Sequence, residues 1–514
     1  MTNSSAASVP GQPKQDGFFG HPRGLATLFF TEMWERFAYY GMRALLILFM
    51  TATTTNMVMS PDGTPLRSNP GLGYDVATAT AIYGLYVGLV YILTLPGGWV
   101  ADNLWGQRKA VFVGGCFIAA GQLSMALPFE FTFFLGLFFI ILGTGLLKPN
   151  VSTVVGELYP EGGARRDAGF SVFYMGINLG AFIGPLLTGF FGENYNWHYG
   201  FGIGALGMIL GLVQYKMGDK YLGDAGYLKG DNSPEELASR SRKFYGSFLG
   251  ALALVVVFGV MVAKGIIPIT LTEIAEYMVW IVLGLVALYF IYLWVFGGHS
   301  AEDNKRLFVI FWLFLLIAVF WSGFEQAGTS FNLFARDLTN RNVFGWLMPA
   351  SFLQSVNPVF IIIGAPMFGS LWLFLDRIHA NPPLPLKAGL GLVFLSAGFF
   401  VIAWGAANAS ADHLVTPAWL VVTYALHTTG ELCISPIGLS AITKLSPQKR
   451  VGQMMGIWFV GAALGNVFAA LVAGRLENLP PAPLFRQVAM TVGVVGLVAV
   501  LVSPGVKKLM GGVK

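Results

Sequence analysis

The first apolar stretch of the chain carries four ionisable residues, Glu32, Glu35, Arg36 and Arg43, in the run TEMWERFAYYGMRALLILFM. At about 100° per residue, Glu32, Arg36 and Arg43 fall within about 40° of each other on a helix, and Glu35 lies at the adjoining edge. A charge at the centre of a bilayer costs at least ~2.5 kcal/mol on insertion scales, so four charges on one helix require compensation by partners or by water. This pattern is typical of a protein that moves a charged solute.

The composition is that of a membrane protein. Of the 514 residues, 55% are hydrophobic and only 11% are charged, whereas soluble domains carry roughly 25% charged residues. The net charge of +5 is spread over short loops, so we expect no nucleic-acid partner. Cys116 and Cys433 lie far apart in apolar segments without metal-ligand spacing, so we expect small buried hydrophobes and no metal or other cofactor. The N-terminal segment lacks the apolar region of a cleavable signal peptide.

Apolar runs of the ~20 residues needed to cross a bilayer predict membrane-spanning helices. Fourteen such spans cover residues 25–50, 76–100, 109–127, 131–150, 168–190, 199–216, 244–264, 276–297, 306–328, 347–373, 387–407, 416–441, 450–474 and 485–505. An even number places both termini on one side of the membrane, and the excess of Lys and Arg makes that side the cytoplasm. Six cations fall on the opposite side, namely Arg67, Lys264, Arg336, Arg341, Arg475 and Arg486.

The spans form two groups of six, separated by the longest polar stretch and an extra pair of spans. We therefore expect a cytoplasmic tail (1–24), a six-helix bundle (25–217), a linker with two inserted helices (218–300), a second bundle (301–506) and a short tail (507–514). A weak similarity between GGWVADNLWGQRK and GAPMFGSLWLFLDR favours two related halves. In parallel-repeat transporters of this architecture the substrate binds near the midplane between the halves.

Several segments resemble a known family. Residues 97–109 are similar to the loop signature between helices 2 and 3 of the major facilitator superfamily. Residues 32–41 resemble the ExxERFxYYG motif of the proton-dependent oligopeptide transporter (POT) family, and residues 173–181 resemble its second signature. Further matches are GLLKPN at 145–150, FEQAG at 324–328 and GELCISP at 430–436. The second span has no His, unlike that of the animal members, so His-mediated proton coupling is not expected there.

The resemblance covers essentially the whole chain and implies an all-α integral membrane protein of the major facilitator type. It would have two six-helix bundles plus two extra helices, and would act as a proton-coupled symporter that imports di- and tripeptides by alternating access. The protein would function as a monomer in the bilayer of the bacterial inner (plasma) membrane. We expect no enzymatic activity.

Ionisable residues within the predicted spans give this expectation a physical basis. The acids are Glu32, Glu35, Glu325 and Glu431, and the bases are Arg36, Arg43 and Lys148. If all three bases are charged, neutrality in a low-dielectric cavity favours one acid that holds a proton. A dipeptide zwitterion would satisfy a cationic wall and an anionic wall at the same time.

We assign roles to these residues as hypotheses. Glu32, Glu35, Arg36 and Glu325 would couple transport to protons, and two gating ion pairs would alternate, Arg43 with Glu325 on the outer side and Lys148 with Glu431 on the inner side. The resemblance implies that Arg36 and Lys148 face the peptide carboxylate and that Asn178, Asn357 and Glu431 face its amine. The full substrate-binding set would be Arg36, Tyr40, Arg43, Tyr86, Lys148, Tyr174, Asn178, Trp321, Asn357, Glu431, Ser435 and Trp458.

Other interpretations stay open at this point. Tyr86 and Trp458 would then be packing residues, Lys148 would extend its ammonium to the interface, and His427 would be structural. The same fold could carry nitrate, a glycoside or a drug, or the chain could be a passive channel. A nucleotide-driven pump is excluded by the lack of a GxxxxGK[ST] loop. A membrane-embedded enzyme is disfavoured because neither HExxH nor a suitably placed GxSxG occurs.

Overall fold

The computed structural model describes residues 17–60, 62–230, 233–447 and 450–511. Within these ranges the chain forms sixteen α-helices, which are α1 (Arg23–Thr51), α2 (Val76–Ile92), α3 (Thr94–Val100), α4 (Gln107–Met125), α5 (Glu130–Glu157), α6 (Gly163–Asn194), α7 (Trp197–Gly218), α8 (Pro234–Ala263), α9 (Leu271–Phe296), α10 (Ala301–Phe324), α11 (Ser330–Asp337), α12 (Val356–Arg377), α13 (Leu384–Ala407), α14 (Ala418–Leu445), α15 (Val451–Gly474) and α16 (Pro481–Leu509). Two antiparallel hairpins pair β1 (Met57–Met59) with β2 (Pro65–Ser68) and β3 (Asn342–Val343) with β4 (Trp346–Leu347).

The helices coincide with the predicted spans. Of the described residues, eleven helical segments are long and apolar enough to cross a membrane. The spans predicted at 25–50, 109–127 and 416–441 are also helical, as α1, α4 and α14, but they carry more polar and charged side chains. The all-helical membrane fold is therefore confirmed.

Two predicted spans are interrupted helices. The span predicted at 76–100 consists of α2 and α3, separated at Leu93, and Pro96 lacks the N–H that would continue the hydrogen-bond ladder. The span predicted at 306–328 continues further, because α10 passes through a 3-10 turn (Glu325–Gly328) into α11. Apolar run length cannot show such interruptions, because it reports the hydrophobicity of a stretch and not its backbone hydrogen bonds.

Capping residues mark where α8, α9 and α10 begin. Ser233 accepts a hydrogen bond from the N–H of Glu236 and precedes Pro234 at the start of α8. Thr270 and Glu273 form a reciprocal capping box at the start of α9. Ser300 accepts from the N–H of Asp303 at the start of α10. Each cap satisfies a backbone donor that a free helix end would leave unpaired.

The chain divides into two compact units, and unit 1 comprises residues 17–40, 93–184 and 201–269. Its core gathers side chains from α1, α4, α5, α6 and α7, including Leu25, Leu28, Val111, Val154, Phe173 and Met208. Glycines bring the α4 and α5 backbones close together: a Cβ on Gly114 would lie 2.6 Å from the Gly143 carbonyl oxygen, and one on Gly121 would lie 2.7 Å from that of Gly136. Helix α8 has no buried residue among those described.

The two signature segments of unit 1 pack directly on each other. A Cβ on Gly180 of α6 would collide with the carbonyl oxygen of Met33 on α1 and would lie 2.9 Å from the Cβ of Arg36. A Cβ on Gly176, one turn earlier, would lie 2.9 Å from the ring of Phe29. Small residues spaced by four allow such close helix approach in membranes. The second signature thus positions the helix that carries the ionisable residues.

Unit 2 comprises residues 41–92, 185–200 and 270–511 within the described chain. Helices α13 and α14 meet at Gly391 and Gly430, where a Cβ on Gly430 would lie 2.5 Å from the Gly391 carbonyl oxygen. His427 is buried, and its ring centroid lies 4.9 Å from that of Phe399 and 5.5 Å from that of Phe331. The imidazole is therefore part of an aromatic cluster of the unit 2 core.

We expect Gly180→Ala to destabilise the protein, because the new methyl group meets backbone atoms of α1 rather than a mobile side chain. Overpacking of this kind costs roughly 1–3 kcal/mol. The measurement is the Tm of the detergent-solubilised protein. Gly250→Ala in α8 is the matched control, since nothing lies within 4 Å of its Cβ position. Equal Tm values for the two variants would contradict the proposed helix contact.

Candidate functional site

In unit 1, the ionisable residues of α1 form a buried cluster. The Nε of Arg36 donates a hydrogen bond to Glu32 Oε1 at 2.8 Å, and Glu35 Oε2 also lies 2.8 Å from this Nε. Glu32, Glu35 and Arg36 are 2%, 0% and 5% exposed, respectively. One guanidinium therefore faces two carboxylates that are shielded from solvent, as the helical periodicity of the sequence predicted.

The carboxylates of this cluster keep spare acceptor capacity. Glu32 Oε2 and both carboxylate oxygens of Glu35 are buried and have no hydrogen-bond partner among the residues that the structure describes. Lys148 of α5 is half-buried and acts electrostatically on Glu35. Buried acceptors without a donor are costly, and a proton or a ligand donor would relieve this cost. The cluster is thus chemically suited to take up a proton.

Three further predicted substrate-binding residues lie in unit 1, in addition to Arg36 and Lys148. Tyr40 is half-buried and acts electrostatically on Arg36. Asn178 is buried, and its Nδ2 donates to the Tyr174 carbonyl oxygen at 3.0 Å. The Tyr174 side chain is 41% exposed. Asn178 therefore uses one amide hydrogen within α6.

In unit 2, the predicted pair between Arg43 and Glu325 is present as a buried salt bridge. The Arg43 Nε also donates to the Tyr83 hydroxyl at 2.5 Å. Glu325 opens the 3-10 turn between α10 and α11, so its carboxylate is presented where the helix is interrupted. The sequence analysis did not include Tyr83, although its spacing of three from the predicted Tyr86 places both residues on neighbouring positions of the α2 surface.

Asn357 and Glu431, both predicted to face the peptide amine, are in contact. The Asn357 Nδ2 lies 3.4 Å from Glu431 Oε2 and donates to the Thr428 Oγ1 at 2.9 Å. Glu431 is 8% exposed. Thr428 was also missed, and its spacing of three from Glu431 on α14 places it on the same helix face. These three residues form one polar patch in unit 2.

The remaining predicted residues of unit 2 are mainly packed. Trp458 is 7% exposed, and its indole occupies the space next to Gly438 of α14. Trp321 packs against Phe320 and Phe324, and its buried Nε1 lacks a hydrogen-bond partner in the described part of the chain. Tyr86 is buried. The Ser435 side chain lies outside the described residues.

A polar network joins further helices at one end of unit 2. The Glu193 carboxylate accepts hydrogen bonds from the N–H groups of Ala350 and Ser351 at 2.8 and 2.9 Å. Arg341 lies 3.9 Å from Glu193, and burial lowers the pKa of its guanidinium while that carboxylate opposes the shift. Asn332 donates to the Ala44 carbonyl oxygen at 2.7 Å. No part of this network was predicted.

Comparison with known proteins agrees with the signature segments. The sequence profile described as the POT family matches residues 108–482. The chain belongs to the POT family. The family resemblance seen in the sequence is therefore confirmed.

Relatives with assigned names match over nearly their full length. Peptide transporter YePEPT from Yersinia enterocolitica is 42% identical, with 96% of each chain covered. The di-/tripeptide transporter of Lactococcus lactis subsp. cremoris is 34% identical, with 97% of this chain and 98% of the relative covered. A crystal structure of a peptide transporter POT in complex with sulfate superimposes with a TM-score of 0.87 at 38% identity, covering 98% of both chains.

In this POT protein, two of the predicted groups of ionisable residues are in contact, and a third stays a prediction. Glu32, Glu35 and Arg36 lie together in unit 1, and Arg43 and Glu325 lie together in unit 2. Lys148 belongs to unit 1 and Glu431 to unit 2, so the ion pair between them stays a prediction. The roles of all these residues are likewise predictions.

Removal of one partner of the Arg43–Glu325 pair should destabilise the protein strongly. Glu325→Gln leaves a buried guanidinium uncompensated, which costs about 3–5 kcal/mol. Addition of Arg43→Gln should restore part of the loss. The readout is a double-mutant cycle from Tm values in detergent.

Glu302→Gln is the matched control for this cycle. Its carboxylate pairs with Arg306 at 2.7 Å but is 59% exposed, and exposed pairs contribute about 0–1 kcal/mol. If Glu325→Gln were no more harmful than Glu302→Gln, the buried pair would not contribute to stability.

Proposed function

We propose that this chain is a proton-coupled symporter that imports di- and tripeptides by alternating access. The observation that carries the proposal is the buried Arg36 cluster, in which Glu32 and Glu35 retain acceptor oxygens without donors. The family is one of proton-dependent oligopeptide transporters, and relatives at 34–42% identity bear the names peptide transporter and di-/tripeptide transporter. The proposal assigns no enzymatic activity and no cofactor.

Proton transfer is assigned to the carboxylates next to Arg36. A proton on Glu35 or Glu32 would remove one negative charge from the cluster and weaken the hold on the guanidinium. Arg36 would then be free to pair with the carboxylate of a bound peptide. Protonation and substrate binding would thus favour the same state, which is the linkage that a symporter requires.

Substrate recognition follows from charge complementarity. Arg36 and Lys148 of unit 1 would bind the peptide carboxylate, while Asn357 and Glu431 of unit 2 would bind its ammonium group. The contact between Asn357 and Glu431 supports this, because the amide fixes the orientation of the carboxylate. A simple anion such as nitrate would leave Glu431 without a counter-ion.

Gating is assigned to the pairs Arg43–Glu325 and Lys148–Glu431. Together with Tyr83 and the network around Glu193, the first pair would hold one mouth closed. The positive-inside rule makes this the outer mouth and places both termini in the cytoplasm. We propose fourteen membrane-spanning helices, with two six-helix bundles and an inserted pair, in a monomer of the bacterial inner membrane.

The proton gradient is sufficient to drive accumulation. One proton that moves down 100 mV releases ~2.3 kcal/mol, and one pH unit adds ~1.36 kcal/mol. These values correspond to a concentration ratio of several hundred, so no nucleotide is required.

Transport should be tested with the full chain in proteoliposomes. With an inward proton gradient, labelled dialanine should accumulate above its external concentration, and excess unlabelled tripeptide, but not nitrate, should compete. Collapse of the gradient with an ionophore should stop accumulation. Uptake that only equilibrates would indicate a passive channel, and competition by nitrate alone would indicate a nitrate transporter of the same fold.

Glu35→Gln should separate proton coupling from substrate binding. The amide keeps the shape of the side chain but cannot cycle a proton, so acid-driven accumulation should be lost while peptide counterflow without a gradient continues. Glu235→Gln, an exposed carboxylate at the start of α8, is the control and should behave as the unmodified protein. Driven accumulation by the Glu35 variant at the unmodified level would remove Glu35 from the coupling mechanism.

A further inference from the structure

A cavity of about 450 Å³ lies in unit 2, between the inserted helix α9 and the core helices α2 and α15. It is separate from every residue assigned to transport above. The residues that line it include Thr80, Glu276, Trp280, Phe468, Arg475 and Asn478. Its volume falls within the range of small-ligand sites, roughly 300–1,000 Å³.

The floor of the cavity is closely packed. At the cavity, a Cβ on Gly474 of α15 would lie 2.9 Å from Thr80 Oγ1. Elsewhere between the same two helices, a Cβ on Gly88 of α2 would lie 2.8 Å from the Val467 side chain. The Glu477 carboxylate accepts a hydrogen bond from the N–H of Ala77 at 3.0 Å, which ties the end of α15 to the start of α2. The cavity is thus defined by rigid elements.

The mouth of the cavity carries one acidic and one basic side chain that do not form an ion pair with each other. Glu276 and Arg475 are both exposed. Neither has an ion-pair partner within 4.0 Å among the described residues. Arg475 stands at the C-terminal end of α15, where its charge also complements the helix dipole. This arrangement complements a ligand with one anionic and one cationic group.

The cavity is polar at one end and apolar at the other. Trp280 lies four residues, or about 6 Å, beyond Glu276 along α9, and Phe468 lies seven residues, or about 10 Å, before Arg475 along α15. Since α9 begins and α15 ends at this mouth, both aromatic residues lie deeper than the charged pair. Trp280 is 69% exposed, as is common for aromatic residues that contact lipid near an interface.

We propose that this cavity binds a phospholipid whose head group contains both a phosphate and a primary ammonium, namely phosphatidylethanolamine. Arg475 and Asn478 bind the phosphate, Glu276 accepts hydrogen bonds from the ammonium, and an acyl chain lies along Trp280 and Phe468. The lipid fills the space between α9 and the core and holds the inserted helix in place. The proposal rests on the membrane location of the chain and not on its transport activity.

Lipid retention in native mass spectrometry provides the test. The purified full chain is equilibrated with phosphatidylethanolamine, phosphatidylcholine or phosphatidylglycerol of identical acyl chains. We expect phosphatidylethanolamine to be retained roughly tenfold over the other two, the ratio that about 1.4 kcal/mol gives. Phosphatidylcholine lacks N–H donors for Glu276, and phosphatidylglycerol lacks the cation. Equal retention of the three lipids would overturn the proposal.

Variants locate the binding to this cavity. Glu276→Gln should abolish the preference for phosphatidylethanolamine, and Arg475→Gln should lower retention of all three lipids. Lys264→Gln, which removes an exposed cation from the loop before α9, is the control and should leave retention unchanged. If Glu276→Gln and Arg475→Gln alter dimer formation but not lipid retention, the cavity is a contact between copies and the proposal is wrong. Dialanine uptake by both variants should remain, so this result is separable from the transport proposal.

Discussion

The cost of removing charge from water is the constraint on which the rest of the structure depends. Glu32, Glu35 and Arg36 are almost fully buried on α1, and each would be expensive alone in a low-dielectric environment. Their mutual contacts at 2.8 Å compensate part of that cost. The compensation is incomplete, because three carboxylate oxygens lack hydrogen-bond donors among the described residues. This residual imbalance supports the proposal that the cluster takes up a proton or binds a charged ligand.

To shield such a cluster from water, neighbouring helices must pack closely against each other. Glycines meet this requirement in both units. Gly176 and Gly180 bring α6 against α1, and Gly391 and Gly430 bring α13 against α14. In a bilayer, close backbone approach of this kind contributes dispersion contacts that lipid would otherwise supply. The signature segments of the family are therefore explained by packing as well as by chemistry.

Helix interruptions accompany buried polar groups in unit 2. Glu325 begins a 3-10 turn, and its carboxylate meets Arg43 there. In membranes, irregular backbone is tolerated where protein or water satisfies it. The interruption at Leu93 separates α2 from α3 in the same manner, and Tyr83, which binds Arg43, belongs to the first of these helices. Broken helices thus accompany the buried ion pair of unit 2.

The sequence by itself determined the helical membrane fold through apolar run length, and the clustering of Glu32, Glu35 and Arg36 through a period of about 3.6 residues. It determined the family through segments that resemble the POT signatures. It also led to the hypothesis that Arg43 pairs with Glu325, because a buried charge requires an opposite charge, but residue spacing did not select which acid would be the partner. Only the tertiary structure decided the partnership of Tyr83 with Arg43, the contact of Thr428 with Asn357 and the cavity beside α9. These depend on contacts between helices distant in sequence, and the spacing of residues along one chain segment carries no information about which distant helix will face it.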